Sequence, residues 1–233
     1  MIETAEIEKV FANGNEWHHA LKKVNIKIQE NEFVAITGKS GSGKSTLLNL
    51  LCGIDKPFKG KISINGTEIT NLSKRKLAKW RNSDIGIVFQ SFHLLPSLTL
   101  LENVMLPMEF SPIKRNKKHR ALELLRSVGL AEKVHMFPDY VSGGEKQRAA
   151  IARSLANDPP ILFADEPTGN LDTENANHIM ELFFRLIHEG KTIVMVTHDL
   201  ELSKKTDRII QMKDGMVIED QGPLASIQGA GGS

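Results

Sequence analysis

The stretch Gly38-Lys39-Ser40-Gly41-Ser42-Gly43-Lys44-Ser45 decides how the rest of this 233-residue chain is read. It fits the pattern G-x-x-x-x-G-K-[S/T] without a mismatch. The glycines let the backbone curl until successive N–H groups point at one anion, a geometry that a Cβ would obstruct. Lys44 adds a mobile point charge that reaches β- and γ-phosphates, and the Ser45 hydroxyl suits Mg²⁺. The flanks carry equal weight. Glu32-Phe33-Val34-Ala35-Ile36-Thr37 reads as a buried strand, and Thr46 to Cys52 as a helix stopped at Gly53. Such a helix aims its N-terminal dipole at the phosphates. A plain Gly/Ser linker needs no such flanks, so the stretch reads as a cradle for a nucleoside triphosphate.

The whole chain narrows the setting. A net charge of +2 gives no field suited to nucleic acid. A single cysteine, Cys52, excludes an internal disulfide and fits a reducing compartment. Met1-Ile2-Glu3 opens without the profile of a secretion signal, and no run approaches the ~18 apolar residues that span a bilayer. The expectation is a cytoplasmic protein whose membrane role, if any, needs a partner chain.

Alternation predicts strands over Ile2–Val10 and Leu21–Ile28, with a loop from Phe11 to His19 between them. Phe11 is either a ring for stacking on adenine or a core-edge residue. His18 and His19 lack zinc-site spacing and read as polar loop residues. Lys61–Gly66 reads as a strand entering a turn, and Leu72–Trp80 as a short basic helix. Ile85–Phe89 is a buried strand ending at Gln90, whose side-chain carbonyl is placed for Mg²⁺ or for an attacking water. Ser91–Met108 is rich in Leu and Met yet broken by Pro96 and Pro107. It is either core helix or a docking surface for another chain. The basic run Lys114–Arg120 reads as a solvated helix start, with a phosphate or lipid contact as the alternative.

Ser142-Gly143-Gly144-Glu145 is a second glycine turn, and a helix is expected over Lys146–Asn157. Ile161-Leu162-Phe163-Ala164-Asp165-Glu166 is an apolar strand ending in two acids. Asp165 is placed to hold Mg²⁺ and Glu166 to act as general base, against the alternative of a helix-capping turn. A helix is expected over Glu174–Glu189 and a buried strand over Thr192–Thr197. His198 follows that strand, positioned to bond a γ-phosphate or the attacking water. Ile209–Met212 and Met216–Ile218 flank Lys213-Asp214-Gly215 as a hairpin.

Taken in order, the phosphate loop, Gln90, Ser142-Gly143-Gly144-Glu145, Ala164-Asp165-Glu166-Pro167, Leu171-Asp172 and Thr197-His198-Asp199 resemble an ATP-binding cassette, the nucleotide-binding subunit of an ABC transporter. The stretches Asp165–Asp172 and Phe89–Pro96 look like the group for lipoprotein release, macrolide efflux and antimicrobial-peptide resistance. That group pairs with a separately encoded membrane protein, and the cell-division ABC ATPase is a close relative. The resemblance implies an α/β P-loop NTPase fold: a RecA-like core, an antiparallel β subdomain and a helical subdomain inserted at about 91–156. It implies one domain over 1–228, and the composition of Gly229–Ser233 reads as a flexible tail or an expression remnant outside the fold.

It also implies ATP and Mg²⁺ as cofactors and a head-to-tail homodimer on an integral membrane permease. ATP would be held by Phe11 and by Gly38, Lys39, Ser40, Gly41, Ser42, Gly43, Lys44, Ser45 and Thr46. Ser142 and Gly144 would face the γ-phosphate across the dimer, and Gly143, Glu145 and Asp172 would also take part in nucleotide binding. Ser45, Gln90 and Asp165 would face the metal, and Glu166, His198 and Gln90 would serve hydrolysis. Four positions depart from the common pattern. Val141 and Glu145 replace Leu and Gln in Leu-Ser-Gly-Gly-Gln, so Glu145 brings a negative charge toward nucleotide. Phe11 stands where Tyr is common, and Asn170 where other branches often have Ala. A mechanotransmission ATPase that moves no solute shares every motif. A soluble repair or translation ABC protein would have two fused cassettes or a coiled-coil insertion, and neither is present.

Overall fold

A computed structural model describes residues 1–13, 16–111 and 116–222. The Gly-rich tail and the first part of the basic run, Lys114-Arg115, lie outside them. In chain order, β1 (Ile2–Asn13), β2 (Glu16–Val24) and β3 (Lys27–Ile28) precede β4 (Phe33–Thr37), which enters α1 (Lys44–Leu51) through the glycine loop. Next come β5 (Lys59–Ile64), β6 (Thr67–Glu68), α2 (Lys74–Asp84), β7 (Ile85–Val88), α3 (Leu100–Glu109), α4 (Lys117–Ser127) and α5 (Gly143–Ser154). The remainder is β8 (Ile161–Asp165), α6 (Thr173–His188), β9 (Thr192–Val196), α7 (Leu200–Ser203), β10 (Arg208–Lys213) and β11 (Met216–Gln221).

Two sheets result. One runs β2-β1-β5-β6 with β3 beside β1, and every pairing in it is antiparallel. The other runs β11-β10-β4-β9-β8-β7. It is parallel from β10 to β7, and β11 joins antiparallel by the expected hairpin. β4 and β9 are buried at every position, as strands covered on both faces must be, which is why they read as continuous apolar runs. One core packs α3, α4, α5 and α6 on β7 and β8, with Phe33 and Phe183 edge to face at 6.0 Å. A second core joins the antiparallel sheet to α1 and α2. Full burial of a side chain such as Phe163 is worth roughly 1.5–3 kcal/mol relative to exposure. Cys52 also lies in this second core, fully buried, and burial pushes its thiol pKa well up.

Several sequence expectations shift. The expected loop Phe11–His19 is largely a hairpin, with Phe11 paired to His18 and Ala12 to Trp17. Both faces of it are exposed at Phe11, Ala12, Trp17, His18 and His19, so backbone pairing holds it without a burial pattern. The strand expected over Leu21–Ile28 breaks between Val24 and Lys27. There Thr4 ties the two parts together, donating to the Val24 carbonyl and accepting from the Ile26 N–H. The basic helix begins at Lys74 and runs past Trp80 to Asp84, because Ser73 caps it and Leu77 and Trp80 are its buried face. The helix expected from Lys146 begins at Gly143, so the second glycine turn is its first turn.

Candidate functional site

Four parallel strands, β4, β9, β8 and β7, deliver their carboxyl ends to one edge of the sheet. The residues that follow them are the glycine loop, His198, Glu166 and Gln90, and that edge is where open α/β sheets bind ligands. A cleft of about 450 Å³ opens there, lined by Phe11, His18, Ala20, Ser40, Gly41, Gly43, Lys44, Ser45, Thr46, Gln90, Glu166 and His198.

The start of α1 differs from every other described α-helix. Ser73, Thr99, Asn116, Ser142, Asp172 and Asp199 each cap their helix with a side chain. α1 is instead capped by Gly43 at φ 98°, with no side-chain bond to its first N–H groups. Those donors and the dipole behind them face the cleft unclaimed. Glycine is needed at Gly43 for its left-handed φ and because a Cβ would come within 2.6 Å of the Ala20 carbonyl oxygen. At Gly38 a Cβ would lie 2.3 Å from the Met212 carbonyl oxygen. The loop therefore packs against β10 on one side and the middle of β2 on the other.

Lys44 is only 8% exposed, yet it has no carboxylate partner among the described residues. Its Nζ donates to the Gly38 and Lys39 carbonyls at 2.8 and 3.0 Å. Buried charges are ordinarily paired, so an ammonium held only by carbonyls is a cation arranged for an anion. The buried Ser42 Oγ has no hydrogen-bond partner. These features fit a triphosphate: a cradle with no side-chain cap, an unpaired cation and an orphaned hydroxyl.

Ser45 Oγ donates to Asp165 Oδ1 at 3.1 Å, joining the phosphate loop to the end of β8. Burial raises the Asp165 pKa, against the lowering effect of the Ser45 bond; Glu166 raises it further and Lys44 lowers it. Among the described residues no three His, Cys, Asp or Glu side chains gather into a metal cage. Mg²⁺ here would be shared with phosphate oxygens, as it commonly is. Because the folded pKa is raised, the ionised carboxylate costs stability above that pKa, and the cost disappears as pH falls below the ordinary carboxylate range. Asp165→Asn should therefore raise the melting temperature at neutral pH, by roughly 2–4 °C per kcal/mol relieved, and the gain should vanish toward acid pH. Melting curves of both proteins across pH check this. A lower melting temperature for the variant at neutral pH would contradict it.

Glu166 holds φ at +47°, a conformation that costs a non-glycine residue roughly 1–2 kcal/mol. The turn is pinned on both sides: its N–H donates to the Val196 carbonyl at 2.9 Å, and its own carbonyl accepts from Gly169 N–H at 3.1 Å. The result turns the carboxylate into the cleft, where Oε2 lies 2.8 Å from His198 Nδ1. Gln90 also lines the cleft, with its backbone carbonyl accepting from Asn170 Nδ2 at 3.2 Å. Phe11 lines the cleft as well, with Lys9 Nζ 4.9 Å from its ring centre. The structure thus brings together all of these predicted residues in one chain.

The second glycine turn lies outside that cleft. Ser142 and Glu145 form a capping box: Ser142 N–H donates to Glu145 Oε2 at 2.9 Å, and Glu145 N–H to Ser142 Oγ at 3.3 Å. Lys133 Nζ sits 2.6 Å from Glu145 Oε1, and with the Ser142 bond it holds the Glu145 pKa below the usual carboxylate range. The charge that Glu145 brings is thereby matched within the subunit. Asp172, too, is outside the cleft. It caps α6, with its carboxylate accepting from the Asn175 N–H and Nδ2, and Asn175 lowers its pKa.

A profile of the family described as ABC transporter matches residues 21–169. The chain belongs to the ABC transporter family, among its ATP-binding subunits. It is 48% identical over 218 residues to an ABC transporter ATP-binding protein of Thermotoga maritima, covering 93% of each chain. It is 46% identical over 221 residues to the macrolide export ATP-binding/permease protein MacB of Chlorobium luteolum, covering 95% of this chain and 33% of that one. Its fold matches a dimeric structure of the ATP-binding cassette MJ0796 of Methanocaldococcus jannaschii in a post-hydrolysis state bound to ADP and Pi, with a TM-score of 0.89. That match is 43% identical and covers 95% of this chain and 98% of the other. The fold is accordingly that of an ABC ATPase cassette.

Three residues of the cassette site escaped the sequence reading. His18, read as a polar loop residue, lines the cleft because the hairpin folds it there. Lys133 meets Glu145 only in the folded chain, and Asn170 meets Gln90 across 80 positions. Local pattern carries no signal for the last two, and the exposed hairpin that places His18 has no apolar face to mark its period.

Proposed function

We propose that this cassette hydrolyses ATP as a head-to-tail homodimer at the cytoplasmic face of a membrane and powers a separately encoded permease that exports its substrate. The observation that carries the ATPase reading is the pair at the end of β8, with Asp165 bonded to Ser45 and Glu166 turned into the cleft by its left-handed backbone. Lys44, the α1 N-terminus and the loop N–H groups bind and orient phosphates. Ser45, Asp165 and Gln90 would hold Mg²⁺, which would neutralise phosphate charge. Glu166 accepts a proton from water, and His198 fixes the carboxylate through Nδ1. Phe11 stacks on adenine, which needs its ring face and no hydroxyl. Ser142, Gly143 and Gly144 supply donors to the phosphates held by the second subunit. Export is supported by relatives named for macrolide export, in which ATP-binding and permease parts share one chain. Release of phosphate from Mg²⁺-ATP by the purified chain tests the activity, and absence of release at any protein concentration would overturn it.

The membrane partner is proposed to dock beside the segment that follows Gln90. Among the described residues no helix is long and apolar enough to cross a membrane. Of the apolar residues at the start of that segment, Leu94 packs against the core, Phe92 and Leu98 are half-buried, and Leu95 is 43% exposed. Leu95 is held by its backbone alone, its N–H and carbonyl bonded to the buried Asn103 side chain at 2.8 and 3.1 Å. Its side chain is thus free for a short helix of the permease. Leu95→Glu should leave the melting temperature and the isolated ATPase unchanged and abolish co-purification with the permease. A destabilised protein with reduced ATPase would place Leu95 in the core instead.

A further inference from the structure

We infer that Arg153, at the far end of α5 from Ser142, is a positioning residue that holds the Gln90 segment in place by latching a strained kink at Phe92-His93. Phe92 and His93 have φ of 57° and 49°, two consecutive non-glycine residues in the left-handed region. Such residues persist only where their surroundings fix them. The fixing group is the Arg153 guanidinium, whose NH2 donates to the Phe92 carbonyl at 2.8 Å and whose NH1 donates to the His93 carbonyl. Among the described residues no carboxylate pairs with Arg153, and burial lowers its pKa. A half-buried guanidinium directed only at two kinked carbonyls is a fork-shaped donor matched to a fork of acceptors.

The placement of α5 gives this latch its reach. At its start stands Ser142. One turn further the fully buried Gln147 donates from Nε2 to the Pro167 carbonyl at 2.7 Å, directly after Glu166. In its last turn stands Arg153. One rigid helix therefore touches the turn that carries Glu166 and the segment that carries Gln90. The kink lies between Gln90 on the cleft and Leu95 on the surface, so its geometry sets both.

The inference rests on the ATPase reading for Gln90, and the test separates the two. In the nucleotide-free protein, Arg153→Gln should speed amide hydrogen exchange over 91–95 at least tenfold while Ala149–Ala152 stay protected. In turnover it should lower kcat between about 10- and 100-fold, the scale of a misplaced group, and leave ATP affinity unchanged because Lys44 and its loop are untouched. Adding His93→Gly should recover part of the lost kcat, since glycine adopts a left-handed φ without strain and loses only the His93 ring contact with Phe89 at 4.8 Å. Unchanged exchange over 91–95 would overturn the latch. So would a loss of kcat that follows a fall in melting temperature and that His93→Gly does not recover. If exchange loosens as expected while the wild-type chain shows no hydrolysis, the latch stands and the ATPase reading fails.

Discussion

Glu166→Gln should bind ATP with near-normal affinity and turn it over ~10²–10⁴-fold more slowly than the parent chain. The substitution keeps size and hydrogen-bonding shape, so the left-handed turn, pinned by Val196 and Gly169, has no reason to move. What it removes is basicity at the one carboxylate that the β8 end turns into the cleft beside His198. Asp165 does not take over that task, because its carboxylate is engaged by the Ser45 hydroxyl. With hydrolysis slowed, the ATP-bound homodimer should accumulate and elute as a dimer in size exclusion. Near-normal phosphate release from this variant would remove Glu166 from the proposed mechanism.

The second large effect concerns Lys44 and Ser142, which stand on separate surfaces of one subunit and are proposed to meet one phosphate across two. Lys44→Ala loses charge-assisted bonds worth roughly 1.5–3 kcal/mol, so ATP affinity should fall about 10- to 100-fold and turnover should be nearly lost. Ser142→Arg should lose turnover as completely while its monomer still binds ATP, because the capping box lies outside the cleft. Mixing the two variants puts both lesions at one composite site and leaves the other intact. Random pairing then allows roughly a quarter of parental turnover if the sites work independently. If Ser142→Arg monomers fail to bind ATP, the serine acts within its own subunit and the composite site is wrong.

Much of this site was legible because buried parallel strands betray themselves. β4, β7, β8 and β9 appear as short apolar runs, and each gives way to a polar residue of definite chemistry where it leaves the sheet. The phosphate loop was equally plain, since Gly38 and Gly43 sit where backbone and neighbours exclude a Cβ. The order β10-β4-β9-β8-β7 was not legible from pattern, because periodicity states that a strand is buried and not which strand it adjoins. Phe11–His19 was misread for a different reason: a two-sided exposed hairpin has no apolar face to announce its period. Contacts such as Lys133 to Glu145 and Arg153 to Phe92 join residues that no local rule connects. They are tertiary choices made after the elements exist.

The burial of Cys52 also makes the chain a natural reporter. Its one thiol is sealed in the core and held in the protonated form, so alkylating and spin-labelling reagents find no native target in the folded protein. A cysteine introduced on an exposed position such as Tyr140 or Leu200 would then be the sole accessible thiol. Distances between two such labels would show, with no background to subtract, whether subunits pair and part as proposed.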